Sequence, residues 1–527
     1  MKHTDRRAHR RKKKESWNVV SGMLRMGFVG VMAALQILSI FLLTYYAQIY
    51  SSIIYYTLVM LAIIMVLYVI SKPNSSAYKI AWIVLMLAFP VAGMVMYVAW
   101  GNIDFDKRER GFLHKSFQHA RPSLTQDPQT WQRFAASYPQ YMRHVRNLQS
   151  CQPYPIYQHS QSQYYPLGDH WWPALLADLE NAQRFIFMEF FIVEDGELWQ
   201  SVLDILVRKA AQGVEVRFMF DDMGSVMSFS HGDIEQIRGA GIDVQVFNPV
   251  NRYISALYIN YRNHQKIVVI DGNVSYVGGT NLADEYANLY PKHGHWKDTC
   301  LRLEGQATWS LTVIFLQMWD LNRKQLTLNY DDYRPSAPAQ DHDGAGYYLP
   351  MEDGPGHKPS NPAINMYKLM VSNSQTFCYI TSPYLILDDE FLDVLCIAGR
   401  AGVDVRIVVP HIPDHWYVHL VTQSFYAELI AAGVRIYEYT PGYIHAKMMV
   451  SDDKVGVLGS INMDFRSFFL HYEDAVWMCE TPVLADMKAD IEEVMSVSQE
   501  IQLADCKAFP WYKKAGQLIL RVFAPMF

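Results

Sequence analysis

Two stretches in the C-terminal part of this chain carry the same short motif. The first is NYRNHQKIVVIDGNVSYVGGTNLADEY at 260–286, and the second is GYIHAKMMVSDDKVGVLGSINMDFRS, which begins at 442. Both contain H-x-K-x4-D followed by G-[GS]-x-N. One H-x-K occurs by chance in many proteins, but two copies with the same downstream turn indicate an internal duplication. We therefore expect two similar halves that fold around one shared site.

Strands and helices alternate in the same order around both motifs. Each half has a buried strand, a helix that ends at a glycine and a second strand, which is the βαβ arrangement. The segments are FIFMEFFI (185–192), LWQSVLDILVRKAAQG (198–213), VEVRFMFDD (214–222), TFCYITSPYLI (376–386), EFLDVLCIAGRAG (390–402) and VDVRIVVP (403–410). The repeat length is roughly 190 residues. We predict an α/β fold whose two βαβ-rich halves are related by pseudo-two-fold symmetry.

The N-terminal hundred residues have a different composition. Eight of the first fourteen residues are Lys or Arg, and three uncharged apolar runs follow at about 26–46, 53–70 and 80–100. Because about 20 apolar residues cross a bilayer, these runs predict transmembrane helices and a multi-pass protein of a cell membrane. The basic tail and the Lys/Arg residues after the third run both favour the cytoplasmic side. Three spans would separate them, so a re-entrant or interfacial segment is expected, and the side of the catalytic domain stays open.

The segment boundaries follow from these changes in composition. We predict a basic tail (1–22), transmembrane segments (23–101), a linker (102–165), a first half (166–330), an inter-half linker (331–360), a second half (361–508) and a C-terminal amphipathic segment (509–527). The last segment, FPWYKKAGQLILRVFAPMF, suits either an interfacial helix on anionic lipid or an ordinary terminal helix packed on the domain.

Charge and cysteine content exclude several classes of protein. The formal net charge of −6 argues against a nucleic-acid partner, which usually selects a basic surface. The six cysteines are scattered without a CxxC pair, which disfavours a structural zinc site. Each motif histidine has a lysine two residues away, and that cation would repel a divalent ion. We predict no metal and no other cofactor.

The motif residues form a set suited to a phosphodiester. Residues i and i+2 of a strand share a face, so His264 projects with Lys266, and His445 with Lys447. Facing copies would surround one space with two histidines, two lysines and two asparagines, the latter being Asn281 and Asn462. The lysines and asparagines would bind phosphate oxygens. One histidine can attack phosphorus while the other protonates the leaving oxygen.

Four carboxylates accompany this set. A nucleophilic histidine needs an acceptor for its other ring nitrogen, and Asp298 in HWKDT and Glu473 in LHYEDA follow the histidines of their own halves, His264 and His445. The motif aspartates, Asp271 and Asp452, come where each strand reaches its turn. We count them among the catalytic candidates, with a structural role in the turn or in lysine orientation as the alternative.

These motifs resemble those of the phospholipase D superfamily, and the chain is similar to bacterial cardiolipin synthases from about residue 71 to its end. NYRNHQKIVVIDG, VGGTN, HWKDT, GSINMDFRS and LRVFAPMF carry the resemblance. Two positions depart from the pattern: His471 stands where an asparagine is expected, and Lys297 where an arginine is usual.

The resemblance implies transfer between two phosphatidylglycerol molecules, giving cardiolipin and glycerol. By analogy His264 would form a phosphatidyl-histidine, and His445 would protonate the glycerol and then deprotonate the second lipid; the pseudo-symmetry permits the reverse order. Membrane lipid is the expected partner. The alternatives are a phospholipase D that hydrolyses phospholipid to phosphatidic acid and a transphosphatidylase that uses phosphatidylethanolamine. Two intact H-x-K pairs argue against an inert scaffold.

Overall fold

A computed structural model describes residues 51–101, 107–150, 153–225, 228–229, 231–249, 261–335, 346–357 and 360–526. The chain divides into two compact units, Met1–Asn102 and Ile103–Phe527. The apolar run predicted at 26–46 and the basic tail lie outside the described residues.

The described part of the first unit, from residue 51 onward, consists of apolar helices. They are α1 (Ser51–Ser71), α2 (Ser76–Ala88) and α3 (Pro90–Met96), followed by a π-helical turn at Tyr97–Gly101. In the part of the chain described from residue 51 onward, one helix is long and apolar enough to cross a membrane, over Ile54–Ser71. The run predicted as a single span at 80–100 is instead broken at Phe89, whose backbone is not helical, and Pro90. Proline lacks an N–H group, so it begins a helix more readily than it continues one.

The first half of the second unit is built on a seven-stranded mixed sheet with the order β1-β8-β6-β5-β2-β3-β4. Its strands are β1 (Ser160–Tyr165), β2 (Phe185–Phe190), β3 (Glu215–Asp221), β4 (Asp243–Phe247), β5 (Ile267–Ile270), β6 (Val274–Gly278) and β8 (Cys300–Gly305). Its helices are α7 (Gly168–Glu180), α8 (Glu197–Ala211), α9 (Asp222–Ser225), α10 (His231–Gly239) and α11 (Thr308–Arg323). Strands β2, β3 and β4 are parallel, and β5 returns antiparallel to β2.

The second half is built on an eight-stranded sheet with the order β17-β12-β11-β10-β14-β15-β16-β9. Its strands are β9 (Tyr347–Asp353), β10 (Phe377–Thr381), β11 (Asp404–Pro410), β12 (Arg435–Tyr439), β14 (Met448–Ser451), β15 (Val455–Gly459), β16 (Glu473–Cys479) and β17 (Ser498–Ile501). Its helices are α12 (Pro362–Asn373), α13 (Asp389–Arg400), α14 (Trp416–Ser424), α15 (Tyr426–Ala431), α16 (Phe465–Phe469), α17 (Val483–Ser496), α18 (Leu503–Ala508) and α19 (Trp511–Phe523).

The two sheets share one topology, which confirms the predicted duplicated α/β fold. The succession β8-β6-β5-β2-β3-β4 of the first half matches β16-β15-β14-β10-β11-β12 of the second. The equivalent helices α8 and α13 are each followed by a glycine with positive φ, Gly213 at 90° and Gly402 at 92°. Only glycine adopts this left-handed conformation without strain, so both helices stop at the predicted place.

The segments predicted as linkers contain regular structure. Residues 102–165 include α4 (Lys107–Ala120), α5 (Pro128–Ser137), α6 (Met142–Leu148) and β1. Helix α4 packs on α11, and α6 packs on α12. Within 331–360, β9 pairs with β16 as the edge strand of the second sheet, and all seven of its residues are buried. Contacts with distant elements hold α4, α6 and β9 in place, and local composition did not reveal them.

Short pairings join the halves at the position of the histidines. Strand β7 (His295–Lys297) pairs in parallel with β13 (Gly442–Ile444), which ends just before His445. An isolated parallel bridge joins Asn263, just before His264, to Tyr472. Each motif histidine therefore directly follows a residue whose backbone pairs with the other half.

Candidate active site

The backbone at each motif histidine is held by the opposite half. The N–H of His264 donates to the carbonyl oxygen of Tyr472 at 2.8 Å, and that of His445 donates to the carbonyl oxygen of Lys297 at 2.7 Å. Both imidazoles are buried. The two halves thus share one site, and each half holds the backbone of the other half's histidine.

The side chains of the histidines are also oriented across the seam. His264 Nδ1 lies 2.9 Å from Oε2 of Glu473, and His445 Nδ1 lies 2.6 Å from Oδ2 of Asp298. The expectation that each carboxylate serves the histidine of its own half is therefore wrong. The cross-half bridge at Tyr472 sets the next residue, Glu473, opposite His264 because neighbouring residues of paired segments stay in register.

This pairing selects one tautomer for each ring. An ionised carboxylate only accepts hydrogen bonds, so Nδ1 of each histidine carries a hydrogen and donates it. Nε2 of each ring then keeps a lone pair, which can attack an electrophile or accept a proton. The carboxylates are themselves fixed, since Asp298 accepts from the N–H of Thr299 at 2.8 Å and Glu473 accepts from the Ser460 hydroxyl.

Two buried lysines lie beside the histidines. The ammonium groups of Lys266 and Lys447 each donate to the carbonyl oxygen of the histidine two residues earlier. Burial lowers the pKa of Lys266 to about 8 and that of Lys447 to about 7, and each charge further lowers the pKa of His264. The two buried ammonium groups repel each other and any positive charge on His264. A bound anion would offset this repulsion, so the site is suited to a negatively charged group.

Burial has the same effect on the imidazoles. It lowers the pKa of His445 to about 4 and places that of His264 well below its ordinary value, with the nearby lysines as the next cause. Both rings are therefore neutral near pH 7, which is the form that a nucleophile or a general base requires. A bound anion would raise both pKa values and make the protonated form accessible during a reaction.

The comparisons with known proteins agree with this geometry. A family model described as "Cardiolipin synthase, PLD-like domain" matches residues 175–292 and 367–495, and one described as "Phospholipase_D-nuclease N-terminal" matches 58–102. A cardiolipin synthase of Geobacillus kaustophilus is 32% identical over 471 residues, which cover 88% of this chain and 92% of that protein.

The chain belongs to the cardiolipin synthase family. An uncharacterized protein of Streptococcus mutans serotype c is 34% identical to it over 465 residues, covering 88% of this chain and 99% of that one. Among solved structures, a phosphatidylserine synthase of Haemophilus influenzae aligns with a TM-score of 0.56 at 14% sequence identity, covering 73% of this chain and 97% of that chain. This structural match supports the shared fold.

In this cardiolipin synthase family member the two motif asparagines differ in their surroundings. The amide nitrogen of Asn281 donates to the hydroxyl of Tyr286 at 2.7 Å, and its oxygen accepts from the N–H of Ile192 at 3.0 Å. Asn462 is buried, and its Oδ1 has no hydrogen-bond partner among the described residues. Asn281 thereby fixes Tyr286, whose ring meets that of His445 edge-on at 5.5 Å, and the phosphate-binding role expected of the two asparagines remains a prediction.

The motif aspartates lie at the far end of their strands. Asp271 accepts from the N–H groups of Gln183, Arg184 and Phe185 at 2.8, 2.7 and 2.9 Å. Four residues of β5 lie between it and Lys266, so the two are about 16 Å apart at the usual rise of a strand. It has a φ of 55°, a left-handed conformation that aspartate tolerates.

Asp452 repeats this arrangement in the second half. It accepts from the N–H groups of Gln375, Thr376 and Phe377 at 2.7, 2.8 and 2.9 Å, with a φ of 54°. Each carboxylate thus anchors the start of the central strand of its sheet, β2 or β10. We correct the placement of Asp271 and Asp452 among the catalytic candidates and assign them the structural role.

The turn after each motif has a function that the sequence did not reveal. A Cβ atom added to Gly279 would lie 2.1 Å from Oδ1 of Asp298, so only glycine leaves room for that carboxylate. The equivalent Ser460 instead donates its hydroxyl to Glu473. The available signal was the second position of the G-[GS] pair. It is glycine in the half that contains Asp298 and serine in the half that contains Glu473, so it changes together with the carboxylate that it contacts.

His471, one of the two departures from the family pattern, lies next to His264. The centroids of the two rings are 5.6 Å apart, and Nδ1 of His471 lies 3.7 Å from Oε1 of Glu473. Its Nε2 accepts from Nε of Arg466 at 3.2 Å, so the neutral ring carries its hydrogen on Nδ1, towards Glu473. Burial lowers the pKa of His471 to about 3, which keeps the ring neutral.

The other departure, Lys297, forms a buried ion pair. Its Nζ lies 2.7 Å from a carboxylate oxygen of Asp490, which also accepts from the hydroxyl of Tyr164. The lysine thereby fixes the backbone whose carbonyl oxygen accepts from the N–H of His445. Its contribution is to hold that backbone rather than to contact the reacting group.

Potential metal ligands meet at one place in the described part of the chain. Three potential ligand atoms lie within 4.8 Å of one another, one each from His264, His471 and Glu473. The positive charges of Lys266 and Lys447 act on His264, and His264 Nδ1 is already bound to Glu473. This donor set does not fit a resident divalent cation, because two neighbouring cations would repel it.

Proposed function

We propose that this chain is a cardiolipin synthase that transfers a phosphatidyl group from one phosphatidylglycerol to a second, releasing glycerol. The observation that supports it best is the pair of buried histidines that present unprotonated Nε2 atoms beside two buried lysines, each ring oriented by a carboxylate of the opposite half. Its membership of the cardiolipin synthase family gives the substrate class.

In the first step we assign His264 as the nucleophile, following the family resemblance. Its Nε2 forms a bond to phosphorus as the bond from phosphorus to the glycerol oxygen breaks. His445 takes up a proton from solvent once the bound phosphate raises its pKa, and its Nε2 then gives that proton to the departing glycerol. Asp298 stabilises the positive form of the ring. Lys266 and Lys447 neutralise the phosphate oxygens, and the burial of the site strengthens these charge interactions.

The second step reverses the first with a different alcohol. The glycerol hydroxyl of another phosphatidylglycerol gives its proton to His445, and its oxygen forms the new bond to phosphorus. The phosphorus–nitrogen bond breaks, and His264 is regenerated. One phosphodiester replaces another, so the reaction needs no nucleotide. Transfer rather than hydrolysis requires that water be kept from the intermediate, and both histidines are buried.

The direct test uses purified full-length protein in bilayers that contain phosphatidylglycerol. Cardiolipin and glycerol should form in equal amounts. Phosphatidic acid without cardiolipin would instead establish the hydrolytic alternative. A second preparation with labelled phosphatidylethanolamine tests that lipid as donor, because its use would release ethanolamine.

The order of the histidines has its own test. Rapid quenching at alkaline pH, where phosphohistidine survives, followed by proteolysis and mass spectrometry should place a phosphatidyl adduct on the peptide that contains His264. An adduct on the peptide that contains His445 would reverse the two roles without affecting the overall reaction.

We further propose that the chain crosses the membrane twice, at the apolar run 26–46 and at α1, with the catalytic unit in the cytoplasm. The break at Phe89 and Pro90 leaves α2 with 13 residues and α3 with 7, both too short to span. Two crossings place the basic tail, Lys72, Lys79 and the basic residues after 106 on one side, which satisfies the positive-inside rule. Reporter fusions after residues 22, 74 and 527 should all indicate the cytoplasm.

A further inference from the structure

The C-terminal helix α19 exposes its apolar face to solvent and turns a polar face towards the domain. Trp511, Tyr512, Leu518 and Ile519 are 80%, 65%, 71% and 60% exposed. The first two lie seven residues before the last two, so all four share one face of the helix. The side turned towards the domain includes Gln517, which is buried. An ordinary terminal helix packed on a domain would bury the apolar face instead.

Polar contacts hold the helix in this orientation. The guanidinium of Arg521 donates to the carbonyl oxygen of Ser424 and to Glu428, both at 3.2 Å, and lies 4.3 Å over the ring of Phe425. These partners belong to the segment of α14 and α15, against which α19 packs. Arg521 therefore lies with the buried Gln517 on the side of the helix that contacts the domain, and the apolar face remains outward.

Helix α14, against which α19 packs, also exposes a large aromatic side chain. Trp416, the first residue of α14, is 69% exposed. We define the docking face as Trp416, Trp511, Tyr512, Leu518 and Ile519. A large apolar side chain left in water loses the hydrophobic stabilisation that burial would give it. Five such residues on adjoining helices indicate a surface that is covered when the protein functions.

The charge around this face selects the occupant. Lys514 is exposed and lies one helical turn before Leu518, and α19 contains no acidic residue, in a chain whose net charge is −6. Tryptophan and tyrosine favour the headgroup region of a bilayer, and nearby lysines bind anionic headgroups. We propose that the docking face lies in the interface of an anionic lipid bilayer and forms a second membrane attachment, separate from the N-terminal apolar helices.

This attachment lies close to the candidate site. Val418 and His419 of α14 line one small cavity together with Tyr443, and the ring of Tyr443 stacks on that of His445 at 6.0 Å. The side of the catalytic unit that carries His445 would therefore face the lipid surface. The inference goes beyond the proposed function, because docking requires only the exposed face and its charge.

The test uses full-length protein in nanodiscs with a single spin label at Leu518→Cys. The five cysteines among the described residues are buried and should not react with the label. The sixth, Cys151, lies outside the described residues and is replaced by serine. In discs that contain phosphatidylglycerol, the label should be accessible to oxygen and at least about 10-fold less accessible to a water-soluble nickel relaxant than a free label. A label at Leu328→Cys, which is 95% exposed and lies outside the docking face, is the matched control and should stay in water.

Three results would overturn the proposal. The first is a water-like position of the label at 518 in anionic discs. The second is an equal depth in discs of phosphatidylcholine alone, which would remove the role of charge. The third is spin–spin broadening that does not depend on lipid, which would assign the face to a second copy of the chain.

A variant extends the test to activity. The double substitution Leu518→Asp and Ile519→Asp should lower turnover in bilayers with dilute phosphatidylglycerol by about 10-fold, while turnover of a short-chain substrate in detergent changes less than about 2-fold. Leu328→Asp should leave both rates unchanged. The label depth does not depend on turnover, so a failure of docking and a failure of the proposed function give different results.

Discussion

Nδ1 of His264 lies 2.9 Å from Oε2 of Glu473, a carboxylate 209 residues away in the other half of the duplicated domain. The reciprocal pair joins His445 to Asp298. The site is therefore assembled by the contact between the halves, and each half orients the reactive ring of the other. A substitution of either carboxylate should therefore affect the chemical role of the histidine that it orients.

Glu473→Gln should slow formation of the phosphatidyl-histidine, whereas Asp298→Asn should slow proton transfer by His445. Loss of the orienting carboxylate in a comparable histidine site costs on the order of 10³–10⁴ in rate. Quenched-flow measurement with a phosphatidyl p-nitrophenyl ester separates the two roles, because its leaving group departs without a proton: Glu473→Gln should slow formation of the adduct, and Asp298→Asn should not. If Glu473→Gln slowed only the proton transfers, the carboxylates would act within their own halves. Glu500→Gln, which removes a carboxylate paired with Arg435 at the surface, is the control.

The two histidines should respond differently to an activated substrate. His264→Ala should abolish turnover of both phosphatidylglycerol and a phosphatidyl p-nitrophenyl ester, because no nucleophile remains. His445→Ala should abolish turnover of phosphatidylglycerol but should still release p-nitrophenolate, which departs without a proton. A burst of absorbance equal to the enzyme concentration is the measurement. The opposite pattern would show that His445 attacks first.

Removing a motif aspartate should affect stability rather than chemistry. Asp271→Ala or Asp452→Ala leaves three backbone N–H groups without their charged acceptor, which should lower the free energy of unfolding by about 2–4 kcal/mol. The rate per folded molecule should change less than about 3-fold. Denaturant titration and specific activity below the transition test both statements. Lys266→Ala serves as the contrast, since it should lose activity with a smaller loss of stability.

The substrate affinity should fall as pH rises. Burial lowers the pKa of Lys447 to about 7 and that of Lys266 to about 8, so each loses its positive charge as pH rises through its pKa. A neutral lysine no longer attracts the phosphate, so kcat/KM should decline above about pH 7–8. Bound phosphate raises these pKa values, so kcat should decline at higher pH than kcat/KM. Lys447→Arg, which stays charged, should move the alkaline limb of kcat/KM upward; an unchanged limb would exclude this lysine as its cause.

His471 should act as a positioning residue for Glu473. Its Nδ1 and Oε1 of Glu473 face each other at 3.7 Å, and both atoms lack a hydrogen-bond partner among the described residues. His471→Asn keeps a donor near this carboxylate and should retain activity within about 3-fold. His471→Ala leaves the buried oxygen isolated and should lower kcat by about 10-fold at unchanged KM. Equal effects of the two substitutions would indicate that the ring only fills space.

Much of the fold could be predicted because its signals are local. Alternating strand and helix segments, glycines after α8 and α13 and the doubled motif each depend on residues close in sequence, and the duplicated α/β architecture and the family are confirmed. The span expected at 80–100 is not supported, because one proline outweighs the apolar composition around it. Strand β9 was missed because its partner, β16, lies more than 100 residues away.

The sequence alone determined which residues are available: two H-x-K pairs, their turns, two further carboxylates and a basic, apolar C-terminal segment. Only the tertiary structure decided which carboxylate orients which histidine, that Asp271 and Asp452 anchor strands, and that the apolar face of α19 points outward. The physical reason is that spacing along a chain constrains side chains on one element. Partners on different elements are selected by how the sheets and helices pack, which depends on many distant contacts at once.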